Sequence, residues 1–319
     1  MNNHRVFVLG GTGFVGRHLL NRLAREGIAT RVATRHPHRC RDLRLVPGCE
    51  VHQVAGWDTP SLTAAMAGCT LVVNLVGILN EGGGRTFEGS HVTLVETATR
   101  AARAAGVPRF LHLSALNADA EEGPSDYLCS KGRGERVALA AEGLGVTCFR
   151  PSLIFGPGDH LFTRFAGLLR LAPGVLPLAC ADTRFAPVYV GDVIEAMLAA
   201  LERPESRGQA YDLCGPRVFG LRELVEYAGE RIGRRVRIVP LSDTLAQRQA
   251  RLFQALPGKL FTLDNYRSLQ LDSLCRQDGL GALGIQATDL EVVVPTYLGG
   301  ASSPGWSGSR SSHSVSSAL

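Results

Sequence analysis

The opening of the chain, RVFVLGGTGFVGRHLLNRLAREG over residues 5–27, most limits what it can fold into. A β-branched apolar run leads into a glycine-rich turn and then into a helical pattern with Val15, Leu19, Leu20 and Leu23 on one face. RVFVLG (5–10) predicts a strand, FVGRHLLNRLAREG (14–27) a helix ending at Gly27, and IATRVAT (28–34) a second strand. EVHQVA, PSLTAAMAG and CTLVVNLVG repeat the theme. They are followed by a long helix ending in ETATRAARAAG, the strand RFLHLS, a helix from Tyr127 to Glu142 and the strand VTCFR. Strands this apolar have no side to show to water, so helices must cover both faces of the sheet they form. The expected fold is therefore α/β, a Rossmann-type doubly wound parallel sheet.

Beyond Pro151 the alternation breaks down. RPSLIFGPGDH and LAPGVLPLACADTRF are loop-like, and FAPVYVGDVIEAMLAALERP reads as one more strand and helix returning to the sheet. We therefore expect residues 1–155 to form the nucleotide-type domain, with 186–215 returning to it. Residues 156–185 and 216–298 would make a smaller C-terminal substrate lobe, and 299–319, rich in serine and glycine, a disordered tail. A chain of 319 residues, 45% of them hydrophobic, is long enough to bury such a core.

Composition narrows the function classes. The net charge of +5 comes from arginines scattered along the chain, so no basic stripe marks a nucleic-acid partner. Eight cysteines form no CxxC pair, and several lie in apolar runs where a free thiol acts as a small hydrophobe. His36, His38 and Cys40 alternate, but no second ligand group has metal-site spacing, so no metal is expected. The N-terminus lacks signal-peptide features and no apolar run is long enough to span a bilayer, so the expected location is reducing and cytoplasmic. LFTRFAGLLRLAPGVLPLA (161–179) is apolar with two arginines. It reads as a core helix of the second lobe, as the lining of an apolar pocket, or as a peripheral contact with the inner face of a membrane.

Gly10, Gly13 and Gly16 occupy the turn between the first strand and the first helix, with Thr12, Phe14 and Val15 among them. Such a turn needs glycines so that backbone can approach a pyrophosphate, and the helix start then offers free N–H groups to the phosphates. Where an NAD site carries a carboxylate at the end of the second strand, this chain has Arg35, followed by Arg39. A guanidinium there suits a 2′-phosphate, so NADP(H) is favoured over NAD(H).

Only two of the 34 basic residues are lysines, Lys131 and Lys259. Lys131 follows Tyr127 by one helical turn, which places both on one face. An ammonium there can hold a nicotinamide ribose and assist proton transfer by the phenol, which arginine, with its fixed fork, would do poorly.

The glycine loop, the Tyr127-x-x-x-Lys131 pair, RPSLIFGPGD and FAPVYVGDVIEAM together resemble an extended short-chain dehydrogenase/reductase of the epimerase/dehydratase superfamily. LVVNLVGIL, RFLHLSALNAD, SDYLCSKGRGE and FTLDNYRSLQ are similar to its atypical branch, which includes the NADPH-binding accessory subunit of respiratory complex I and bacterial relatives. The resemblance runs from residue 5 to about 298. It implies that Gly10, Gly13, Gly16 and Arg35 hold the nucleotide, with Asp58, Val76, Gly77, Lys131 and Pro151 completing the contacts. It implies a catalytic set of Tyr127, Lys131 and Ser114. It leaves a protein complex or peripheral membrane association open as partner classes. Two positions depart from the family pattern. Ser114 stands short of the place of the family's serine or threonine, and His91 takes the place of its helix asparagine. Two readings follow: an NADP(H)-binding protein whose nucleotide is mainly structural or sensory, or an active reductase, epimerase or dehydratase acting on a sugar-nucleotide, quinone or isoprenoid-like substrate.

Overall fold

The computed structural model describes residues 5–172, 174–256 and 259–299. In chain order the main elements are β1 (Arg5–Leu9), α1 (Phe14–Arg25), β2 (Ala29–Thr34), β3 (Cys49–Gln53), α2 (Thr59–Met66), β4 (Leu71–Asn74), α3 (Leu94–Ala104) and β5 (Arg109–Leu113). They continue with α4 (Asp126–Leu139), β6 (Gly145–Pro151), α5 (Leu161–Leu171), α6 (Val190–Leu201), β7 (Gln209–Leu213), α7 (Leu221–Arg231), α8 (Asp243–Ala255) and α9 (Leu263–Ser268). Seven strands form one sheet in the order β7-β6-β5-β4-β1-β2-β3, every neighbour parallel. Strand order reverses between β1 and β4, and the crevice at their carboxyl ends is where open α/β sheets place ligands.

Strand side chains alternate between faces, which is why continuous apolar runs make two cores rather than one. Val6 and Val8 of β1 pack with Leu19, Leu20 and Leu23 of α1 and with Val193, Ile194 and Met197 of α6. Phe7 and Leu9 point the other way, to Leu62 and Met66 of α2, Val95 and Ala98 of α3 and Ala138 of α4. Each of these α1 leucines is almost fully buried, so truncating one to alanine costs about 2–5 kcal/mol.

A third cluster builds the smaller lobe from Phe155, Phe162 and Leu169 together with Leu221, Leu224, Val225 and Val294. The 161–179 segment contributes its inward face, Phe162, Ala166 and Leu169, to that core and leaves Leu171 exposed. Beside it, Ala246 and Ala250 of α8 pack with Ala179 and Tyr266. No helix among the described residues is long and apolar enough to cross a membrane.

Two expectations change. The FAPVY run does not rejoin the main sheet: among the described residues Val188–Tyr189 pairs with Ile154–Phe155, and the returning strand is β7, which lines up along β6. Just before α6, FAPVY has room for only a two-residue ladder, whereas QAYDL emerges beyond α6 beside the open edge of β6. Among the cysteines, Cys40, Cys69 and Cys148 are buried free thiols as expected, but Cys214 and Cys275 form a disulfide across 61 residues of chain. The segment carrying Cys275 is drawn to the end of β7 by Ser152, whose hydroxyl donates to the Ser273 carbonyl at 2.8 Å. That proximity is tertiary and left no spacing signal. The tail expected at 299–319 lies, from residue 300 on, outside the described residues.

Candidate functional site

The glycine loop sits at the switch point. Gly10 adopts φ of 80°, and a Cβ there would lie 2.9 Å from the Leu75 carbonyl carbon at the end of β4. A Cβ on Gly16 would meet the Gly10 oxygen at 2.4 Å, so the helix and the first strand can close only on glycine. Gly13 is the N-cap of α1 with no side-chain cap, leaving the first-turn N–H groups of Phe14 and Val15 open to a phosphate. Thr12 and Gly13 are exposed on the loop, and the Thr12 carbonyl accepts from Arg17 at 3.1 Å. Backbone cradle, open helix end and absence of a Cβ together fit a dinucleotide.

At the end of β2, Arg35 is exposed and lies over the ring of Trp57, 5.8 Å from its centroid. Neither Arg35 nor Arg39, in the short turn Pro37–Arg39, forms an ion pair with a described carboxylate. Their charge is therefore available to a ligand. Asp58 instead caps α2, accepting from the Ser61 N–H at 2.9 Å and the Ser61 hydroxyl at 3.0 Å. Val76 donates its N–H to Asn74 at 3.2 Å, and the Pro151 carbonyl accepts from Leu116 at 3.0 Å. Both positions lie at the crevice end of the sheet.

Lys131 is only 4% exposed, and its Nζ donates to the Leu113 carbonyl at 2.6 Å. Burial pulls its pKa down to about 8 against the pull of Glu135. Tyr127 is half-buried at the start of α4, its phenol pushed up to about 12, first by burial and then by the Asp264 carboxylate. His91 lies in a π-helical turn, Glu88–Thr93, with its ring 5.6 Å from that of Tyr127. Its Nε2 accepts from the Ile78 N–H at 3.0 Å, so its proton is on Nδ1, facing Ser130 Oγ at 2.8 Å. The Ser130 hydroxyl in turn donates to the Tyr127 carbonyl at 2.8 Å. Burial, and then the charge on Lys131, drop His91 to about 3, so it is a neutral strut where the family pattern has asparagine.

The Ser114 hydroxyl is buried with no hydrogen-bond partner among the described residues, and so is His112 Nε2 two residues earlier. Where the family's hydroxyl donor would follow, Leu116 is buried and Asn117, at φ of 61°, spends its amide on the Asp272 carbonyl at 2.8 Å. Neither Leu116 nor Asn117 thereby supplies a free donor in that place.

Sequence reasoning assigned no role to the segment that holds this site together. Asp264 accepts from the backbone N–H of Asp126 at 2.7 Å and of Tyr127 at 3.2 Å, capping the tyrosine helix from the other lobe. The Ser268 hydroxyl donates to Ser125 Oγ at 2.7 Å, and Asn265 donates to the Leu79 carbonyl at 3.1 Å. Lys259, the chain's other lysine, reaches the Glu81 carbonyl at 2.7 Å. The FTLDN stretch could have signalled only its own capping box, Thr262 with Asn265. Between the 77–85 loop and α5 lies a cleft of about 490 Å³ with Gly77 in its lining, also overlooked in the sequence.

A family model described as "NAD dependent epimerase/dehydratase family" matches residues 6–214. The chain is 32% identical over 311 residues to "NADH dehydrogenase (ubiquinone) 1 alpha subcomplex subunit 9, mitochondrial" of Arabidopsis thaliana, covering 92% of this chain and 75% of that protein. It is 36% identical over 210 residues to the "Ceramide reductase" of Caulobacter vibrioides, covering 62% of this chain and 61% of that one. Among solved structures, dTDP-glucose 4,6-dehydratase DesIV of Streptomyces venezuelae, with NAD and TYD bound, superposes with a TM-score of 0.70 at 21% identity. That superposition covers 92% of this chain and 95% of DesIV, a likeness of fold.

Proposed function

Because the chain belongs to the NAD dependent epimerase/dehydratase family, we propose that it holds NADP(H) as a mainly structural or sensory nucleotide and acts with partner proteins, in the manner of a respiratory-complex subunit or in quinone metabolism. The observation that carries this reading is an asymmetry within the site. The groups suited to a nucleotide are present: the Gly10–Gly16 cradle, the uncapped start of α1, Arg35 without a carboxylate partner among the described residues, and Lys131, buried on the Leu113 carbonyl. The groups suited to polarising a substrate carbonyl are out of place: Ser114 stands short of the family's serine or threonine position, and Asn117 is committed to the Asp272 carbonyl. Losing such a donor costs about 10²- to 10³-fold in rate, so a site without it favours holding over turnover.

In this reading Gly10, Thr12, Gly13, Phe14, Val15 and Gly16 embrace the pyrophosphate, Arg35 and Arg39 the 2′-phosphate, and Lys131 the nicotinamide ribose. Residues 1–155 with 186–215 form the nucleotide-binding unit, and the protein works in the cytoplasm or peripherally at a membrane. A bound nucleotide would supply hydride chemistry to the second reading, an active reductase, which the intact Tyr127 and Lys131 pair and the adjoining cleft support.

The test is to denature purified protein, identify any released nucleotide, and time its exchange in the native state. Stoichiometric NADPH exchanging over hours supports the structural reading. An empty site that binds NADPH quickly and reversibly supports the reductase, and a site holding only NADH overturns the role given to Arg35.

A further inference from the structure

We propose that the Cys214–Cys275 disulfide is a latch, opened by a dithiol reductant, that holds the start of the Tyr127 helix through the strap of residues 262–275 and so regulates the nucleotide site. The consequence for the nucleotide rests on the function proposed above, whereas the latch rests on the bond and on what the strap touches. Cys214 and Cys275 are bonded to each other while the other six cysteines are free thiols. In a reducing compartment, the location expected from the sequence, a disulfide is poised against thiols rather than permanent.

Cys214 directly follows β7, which is fixed along β6 by parallel pairing from Gln209 to Leu213. Cys275 ends the strap. At the strap's other end Asp264 accepts from the Asp126 and Tyr127 N–H groups, and Ser268 donates to Ser125, the N-cap of α4. Closer to the bond, the Asp272 carbonyl takes up the Asn117 amide at 2.8 Å and the Ser273 carbonyl accepts from the Ser152 hydroxyl at 2.8 Å. Among the described residues no apolar side chain between Tyr266 and Leu280 is fully buried, and Leu271 is 42% exposed. That stretch is therefore held by hydrogen bonds at half-exposed positions, which water can replace, and by one covalent bond. Opening the covalent bond gives slack to the segment that caps α4 and loosens the contact that commits Asn117.

The bond is placed for exchange. Both cysteines are half-buried beside exposed neighbours, residues 216–218 after Cys214 and 276–278 after Cys275, so a small dithiol can reach them. The Cys275 N–H donates to Cys214 Sγ at 3.0 Å, which suits Cys214 to leave as a thiolate. A thiolate of the reductant attacks Cys275 Sγ, the S–S bond breaks, and its electron pair departs on Cys214 Sγ, which takes up a proton. The second thiol of the reductant then displaces Cys275 Sγ, which also leaves as a thiol, and the reductant closes to a cyclic disulfide. Two electrons and two protons pass in this way from the dithiol to the cysteine pair.

The test compares the full chain, purified without reductant, before and after treatment with dithiothreitol. The double variant Cys214→Ser with Cys275→Ser serves as the permanently open form, and Cys49→Ser on β3 as the control. Peptide mapping should find Cys214 linked to Cys275 at the outset and free after treatment. Hydrogen exchange at the Asp126 and Tyr127 amides is expected to quicken about 10- to 100-fold on reduction, the weight of a hydrogen bond to a charged acceptor. Release of bound NADPH should quicken with it, while circular dichroism stays unchanged. The control should respond as the parent does, and the open variant should show the fast rates with no further response to dithiothreitol. A link missing from the untreated protein, amide exchange or NADPH release unmoved by reduction, an open variant that still responds, or unfolding of the chain on reduction overturns the proposal. If neither form holds a nucleotide, the amides alone decide the latch, so it and the nucleotide reading fail separately.

Discussion

Replacing Lys131 by methionine removes a charge that the fold carries at a cost, and the cost has a pH signature. The ammonium is 4% exposed and makes one hydrogen bond, to the Leu113 carbonyl. Burial lowers its pKa from 10.5 to about 8, although Glu135 works against the fall. That difference corresponds to about 3 kcal/mol. For a lysine depressed in the folded state, the unfolded chain binds more protons between about pH 8 and 10.5, so stability rises with pH through that window. Below about pH 8 the cost is fully present, and above 10.5 it is gone. Methionine does not titrate, so the stability of the parent relative to Lys131→Met should climb by about 3 kcal/mol from pH 7.5 to 10.5. At neutral pH the two should lie close together, because the relief of a buried charge is offset by a Leu113 carbonyl left unpaired, worth about 1–3 kcal/mol. Urea unfolding of both nucleotide-free proteins across that pH range checks this, since titrations shared by the two cancel in the difference. A flat difference would refute the argument that Lys131 is held desolvated, and with it the reading that its charge is kept for a ligand.

Three further outcomes are expected. Gly16→Ala places a Cβ 2.4 Å from the Gly10 oxygen, so it should cost about 1–3 kcal/mol and abolish nucleotide retention, read by nucleotide released on denaturation; retention at parent levels would remove the pyrophosphate from this loop. Arg35→Ala should weaken NADPH about 10- to 100-fold in a fluorescence titration and leave NADH unchanged, and an equal loss for both would make Arg35 a mere contact of Trp57. Asp264→Ala removes the acceptor of two N–H groups at the start of α4, so unfolding should show a loss of about 1–2 kcal/mol. The Tyr127 phenol, now free of a neighbouring carboxylate, should also titrate below its parent value, measured by absorbance against a Tyr127→Phe background.

How much of the molecule was legible in the chain follows from the range of the interactions involved. The sequence by itself determined the doubly wound sheet, because apolar periodicity of two and of 3.6 residues is a local property that names both the element and the face it must bury. It also determined the glycine-rich turn proposed to hold a nucleotide, since such a turn between a strand and a helix is written within seven residues, Gly10–Gly16, and the Tyr127–Lys131 pair lies within one helical turn. Tertiary structure alone decided the rest. That QAYDL rather than FAPVY completes the sheet depended on which segment met the open edge of β6. The Cys214–Cys275 pairing, the Asp264 cap on the helix of Tyr127, and the cleft that Arg85 and Arg164 both line bring together residues far apart in the chain. Hydrogen bonds and ion pairs act over a few ångströms of space and carry no fixed sequence separation, so nothing in the spacing of these residues could announce them.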